Sequence, residues 1–431
     1  MTISTRRRRD IIDALRRGVV PTNGLDALAV GLDRFTAATD DDLDRAASGG
    51  SVFKAVRGEY GAGKTFFTRW LAERAKQRGF AAAEVQVSEL ETPLHRMETV
   101  YRRLVEQLST EQFAPSALRP VLDSWIFALE EDVLAAGQIA EDDAAALDRA
   151  VGDLLERRLA HISRSTPGFA AALRGYRSAC VAGDQPTADG LAAWLGGQPH
   201  VAATVRRAAG VKGDLDHFGA LSFLQGLLTV LRDSGHAGLL LVLDEVETLQ
   251  RVRSDSRDKA LNALRQLIDE IYAGRFPGLV LVITGTPAFF DGPQGVQRLA
   301  PLAQRLATDF GPEPRWDNPR AVQIRLPGFT VDSLVELGVR VRDIYGSAAV
   351  AGRVDNAYLG ELARAVTGRL GGQVGVAPRI YLKKLVADVL DRVDQFPDFD
   401  PRQHYALTVR SDELTEVERN AAAADDVELP L

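Results

Sequence analysis

Cysteine is all but missing: Cys180 stands alone in 431 residues. One thiol excludes an internal disulfide framework and a cysteine-based metal site, which fits a reducing, cytoplasmic compartment. Long apolar runs are missing too. None approaches the ~20 residues needed to cross a bilayer. The basic start Met1–Arg9 leads into an amphipathic segment rather than the apolar stretch of a secretion signal. No membrane partner is expected. Lysine is confined to positions 54, 64, 76, 212, 259, 383 and 384, and arginine carries most of the positive charge. No zinc-ligand spacing, helix-turn-helix pattern or aromatic–basic ribbon stands out. A net charge of −7 excludes a globally basic nucleic-acid coat. It leaves room for a local basic surface, because acid is concentrated at Asp40–Asp42, Glu130–Asp132 and the C-terminal tail.

What is present is an ordinary globular composition, 45% hydrophobic and 26% charged, in a chain long enough for two or three compact units. One stretch organises the rest: Gly58-Glu59-Tyr60-Gly61-Ala62-Gly63-Lys64-Thr65. Before it, Val52–Val56 reads as a buried strand. After it, Phe67, Trp70, Leu71 and Ala75 recur at helical spacing. A strand, a glycine-rich turn and a helix start make a phosphate site. The glycines permit backbone angles that let successive N–H groups curl around phosphate oxygens, and the helix N-terminus adds positive potential. Gly58 through Phe66 is therefore expected to bind a nucleoside triphosphate, with Lys64 reaching the outer phosphates and the Thr65 hydroxyl a ligand for Mg²⁺.

The second decisive stretch, Gly238-Leu-Leu-Leu-Val-Leu-Asp244-Glu245, is an apolar run ending in two carboxylates. It reads as a buried parallel strand that delivers acids to its C-terminal edge. Asp244 would orient Mg²⁺, directly or through its water shell, and Glu245 would polarise the attacking water, with Glu247 as the alternative base. A further buried strand, Leu279–Thr284, ends in Thr284-Gly285-Thr286-Pro287. Thr286, or alternatively Thr284, would face the terminal phosphate from that strand tip, though a turn-forming threonine reads as well. Strands are also expected at 82–87 and 321–326. Between 109 and 236 only helices are legible, including 118–134, 142–162 and 218–232, with Trp125 and Trp194 as core anchors. Helices return at 331–345, 356–367 and 378–393, with Pro378 at a helix start.

The order of these pieces resembles the AAA+ branch of P-loop ATPases: α/β, with a parallel sheet flanked by helices, a long helical insertion and a C-terminal helical lid. The implied division is a first part of the core at 1–108, the insertion at 109–236, a second part of the core at 237–326, the lid at 327–410 and an acidic flexible tail at 411–431. The resemblance implies that Arg305 is a finger acting in a neighbouring subunit's site and that Arg379 is a lid arginine contacting the nucleotide. The alternative for either arginine is a surface or salt-bridge residue. The stretches RRDIIDALRRGVVP, GEYGAGKT, VSELETPLHRMETVYRRL, LLLVLDEVETL and APRIYLKKLV are similar to the BREX phage-defence ATP-binding family BrxD. That resemblance implies ATP and Mg²⁺ as cofactors, DNA and other defence proteins as partners, and a base pocket touched by Val20. Arg305 implies a homo-oligomer. The alternative is a nucleotide-gated scaffold with slow turnover. A replication-initiator-like loader would need a DNA domain after Val393, and too few residues follow.

Overall fold

The computed structural model describes residues 3–137, 143–371, 375, 378–414 and 418–419. Five strands, β1 (Val52–Arg57), β2 (Ala81–Gln86), β3 (Leu239–Asp244), β4 (Leu279–Gly285) and β5 (Gln323–Arg325), form one parallel sheet in the order β2-β3-β4-β1-β5. Every residue of β1, β3 and β4 is buried, as expected of a sheet covered on both faces.

Helices α1 (Thr5–Arg16) and α2 (Asp33–Ala47) precede the sheet, and α3 (Lys64–Gln77) joins β1 to β2. Among the described residues, seven helices separate β2 from β3: α4 (Met97–Gln107), α5 (Leu118–Ala135), α6 (Ala144–Ser165), α7 (Pro167–Val181), α8 (Gln185–Leu195), α9 (Ala203–Ala208) and α10 (His217–Asp233). Next, α11 (Ser254–Tyr272) joins β3 to β4, and α12 (Pro287–Asp291) and α13 (Ala300–Arg305) lie before β5. After β5 come α14 (Val331–Tyr345), α15 (Ala348–Arg353), α16 (Asn356–Arg369) and α17 (Pro378–Lys384), with a short helix at Pro401–His404 further on. A π-helical turn, Leu385–Leu390, carries α17 into α18 (Asp391–Gln395).

Strand periodicity sorts the sheet's side chains. Leu240 and Val242 face Phe67, Trp70 and Leu71 of α3 and Phe35 of α2. Leu239, Leu241 and Leu243 face the opposite way, into a core with α4, α10 and α11. The helices at 109–236 extend that second core. Trp125 and Trp194 are buried in it, and their indole N–H groups donate to Asp233 (2.6 Å) and the Gly213 carbonyl (3.1 Å).

The last helices build a separate core, and α1 belongs to it. Ile11, Ile12 and Leu15 pack with Leu334, Leu337 and Val341 of α14 and with Ile380 and Tyr381 of α17. Each such side chain contributes about 1.5–3 kcal/mol on burial. The Arg16 guanidinium adds a bidentate pair with Asp391, at 2.6 and 2.9 Å. Thus α1, which opens the stretch 1–108 read as sheet core, is buried against helices more than 300 positions later in the chain. Among the described residues, no helix is long and apolar enough to cross a membrane.

The described residues of the stretch 411–431 include contacts to α17. The Glu413 carboxylate accepts from Lys383 (3.1 Å) and Lys384 (2.8 Å), and Glu418 pairs with Arg379. Opposite charge on α17 is the reason, and Glu418 is only 4% exposed. Residues 415–417 and 420–431 lie outside the described residues.

Candidate functional site

The turn after β1 has the local chemistry that the sequence implies. Gly61 and Gly63 take positive φ of 80° and 87°, a region that penalises any Cβ. At Gly58 a Cβ would lie 3.0 Å from that of Ala62, so the loop closes tightly. Gly63 ends the loop and α3 starts at Lys64, leaving the first N–H groups of a 14-residue helix aimed at the turn. Lys64 is buried and its ammonium donates to the Gly58 carbonyl at 2.9 Å and, more weakly, to that of Glu59 at 3.4 Å. It also lies 5.1 Å from the centre of the half-exposed Tyr60 ring.

Sheet register brings the acids to this loop. Gln86 of β2 pairs with Asp244 of β3, and Leu243 pairs with Ile283, so Thr284 comes next to Asp244 on the other side. The Thr284 hydroxyl donates to Asp244 Oδ1 and also accepts from the Glu245 N–H at 3.1 Å. Asp244 Oδ2 accepts from the Thr65 hydroxyl at 3.3 Å. Two oxygen ligands of the kind Mg²⁺ prefers therefore face each other at the start of α3. The donor set fits that cation.

Glu245 holds a left-handed backbone (φ 59°, ψ 43°), a conformation that costs a non-glycine residue about 1–3 kcal/mol. Its side chain accepts from Gln86 Nε2 at 2.8 Å. After this bend Glu247 turns back under the loop, 6% exposed, with Oε1 at 3.8 Å from Lys64 Nζ. Burial pushes its carboxyl above the usual range, and Lys64 partly opposes that shift.

These groups share a cavity of about 590 Å³ between the sheet and the last helices. That is an ordinary size for a cofactor or ligand site. The loop from Tyr60 to Phe66, Asp244, Glu245 and Glu247 line one end. Val19, Val20, Pro21, Leu28 and Leu382 supply apolar wall, and the Val20 carbonyl accepts from Arg69 at 3.2 Å. Phe66 is half-buried and touches both the α2–α3 core and the last-helix core. Arg379 lines the cavity as well, with Nε donating to Glu418 at 2.8 Å and Nη2 donating to Glu418 and to the Glu413 carbonyl.

Two expected residues lie apart from this group. Thr286 is buried at the start of α12, where its carbonyl accepts from Phe289 N–H at 3.0 Å; it does not line the cavity. The threonine that meets the acidic strand is Thr284, because register rather than nearness to the strand end decides which hydroxyl faces Asp244. Arg305 is paired with Asp269 of α11 and donates to the Pro301 carbonyl at 2.6 Å, outside the cavity of its own chain. Gln86 carries no motif. Its only signal is its place at the end of β2, which becomes informative once β2 is known to neighbour β3.

A parallel α/β sheet with a glycine-rich turn opening a helix beside an acidic strand end is consistent with a P-loop NTPase. The family model described as BREX system ATP-binding protein BrxC/D matches residues 3–409, and this chain belongs to that family. No curated protein and no solved structure matches it significantly.

Proposed function

We propose that this chain hydrolyses ATP as an AAA+ type ATPase of a BREX defence system, acting on DNA together with other defence proteins. The observation that carries the reading is the convergence of Lys64, Thr65, Asp244 and Glu245 on one cavity. Loop N–H groups and Lys64 would hold the outer phosphates. Thr65 and Asp244 would hold Mg²⁺, which supplies positive charge to the phosphate oxygens when bound. Glu245 would take the proton of the attacking water. The helices after β5 would serve as the lid, with Arg379 reaching the nucleotide, and Arg305 would act across a subunit boundary in a homo-oligomer. DNA contact would come from arginine-rich helix surfaces such as exposed Arg6–Arg9, with strong salt dependence and little sequence preference.

Steady-state ATP hydrolysis by the purified chain, with and without DNA, tests this reading. Glu245→Gln is expected to lower turnover ~10²–10⁴-fold while ATP still binds. Wild-type turnover in that variant would sink the assignment. A second reading, a nucleotide-gated scaffold with slow turnover, is favoured by the engagement of Glu245 with Gln86 and of Arg379 with Glu418. It predicts nucleotide-dependent capture of a partner and equal, low turnover with and without DNA.

A further inference from the structure

Among the polar groups that line the cavity, Glu247 stands out. Among the described residues, no other residue hydrogen-bonds either of its buried carboxylate oxygens, and the side chain is only 6% exposed. A buried carboxylate without such partners is costly, and Gln would fill the same volume without the charge. The cation facing it is Lys64, at 3.8 Å, beyond hydrogen-bonding range. Its position is fixed from below, because Val246 and Leu249 on either side are buried in the sheet core. The left-handed bend at Glu245 is what returns the chain to the cavity.

In a phosphate loop the lysine marks where the outer phosphates lie. A carboxylate beside that lysine is within reach of the terminal phosphoryl group. A water attacking phosphorus must direct a lone pair at it, and both of its O–H groups then need acceptors. Glu245 offers one through its second carboxylate oxygen, since Gln86 engages Oε2. We propose that Glu247 is a second catalytic carboxylate that accepts the other hydrogen bond of the attacking water. This rests on the hydrolysis reading above. As the water oxygen bonds to phosphorus, the bridging P–O bond breaks and the diphosphate leaves with its electron pair. One water proton passes to Glu245 and on to solvent, while the other stays on the new phosphate, held by Glu247 during attack.

The test compares ATP affinity and kcat for wild type, Glu245→Gln and Glu247→Gln. Glu247→Gln is expected to lower kcat ~10–100-fold with ATP affinity unchanged or tighter, as loss of one charge-assisted hydrogen bond in the transition state predicts. An unchanged kcat with tighter ATP binding would reduce Glu247 to a counter-ion of Lys64 and overturn the proposal. Loss of ATP binding along with kcat would make it a structural residue, which also overturns it. Glu247→Ala with added formate gives a separate reading: recovered turnover supports the proposal and no recovery counts against it. Wild type without turnover would remove the hydrolysis reading itself, a different failure.

Discussion

The cavity has two walls built on different principles. On the sheet side, the groups facing it are fixed by backbone: a glycine turn, a helix start and strand ends whose neighbours are set by register. On the helical side, Arg379 is a long side chain whose head is engaged by carboxylates from the C-terminal segment. A site made of backbone is in place before any ligand arrives. A site made of a paired side chain has to exchange one anion for another. The sheet wall is preorganised and the helical wall is competitive.

The sharpest way to break this contrast is to remove one cation from each wall. Lys64→Ala is expected to weaken ATP binding by ~100-fold or more, since on the proposed reading it removes charge-assisted contacts to phosphate. Arg379→Ala is expected to weaken it less than ~10-fold, because binding through Arg379 requires loss of its existing pair with Glu418. Calorimetric titration with ATP measures both. Equal losses would end the distinction.

A stability readout separates the sheet side from the last helices. Ile11 is fully buried in the last-helix core, so Ile11→Ala should cost about 2–5 kcal/mol there. Hydrogen exchange should then rise in α14, α16 and α17 while β3 and β4 keep their protection. Uniform loss in both would mean that they unfold as one unit.

The smallest expected effect sharpens the description of the helical wall. Burial alone would raise the Glu413 carboxyl, but hydrogen bonds from Lys384, the Arg410 N–H and Lys383 bring it down to about 2 from an ordinary 4.5. A carboxylate with a depressed folded-state value stabilises docking fully above its unfolded value. Docking of the C-terminal segment should therefore be complete above about pH 4.5 and weaken as pH falls toward 2. Limited proteolysis across that range reads it, and Lys384→Ala should move the loss to higher pH.

Much of the sheet wall is visible in the chain itself. The strands expected at 82–87, within 238–245 and at 279–284 lie at 81–86, 239–244 and 279–285. At 238–243 and 279–284 the apolar runs are too short for a typical helix and are bounded by turn residues, so they read as buried strands. The helices expected at 118–134 and 218–232 lie at 118–135 and 217–233, because their apolar stripes are long and regular. Glycine at 61 and 63 signals the turn, since few other residues accept those angles. Thr284 was harder to separate from Thr286, because both sit at the strand tip and only pairing with β3 distinguishes them.

The sequence by itself determined the local pieces: the glycine turn and its lysine, the acidic strand end, the helical stretches and the membership they imply. Each is encoded within a few neighbouring residues, by backbone freedom or by apolar period. Tertiary structure alone decided what meets across distance. It placed Gln86 beside Glu245, turned Glu247 toward Lys64, put α1 among the last helices and set Glu418 on Arg379. Those contacts depend on sheet order and on the packing of three cores, and strand partners and long-range charge pairs leave no period in the chain.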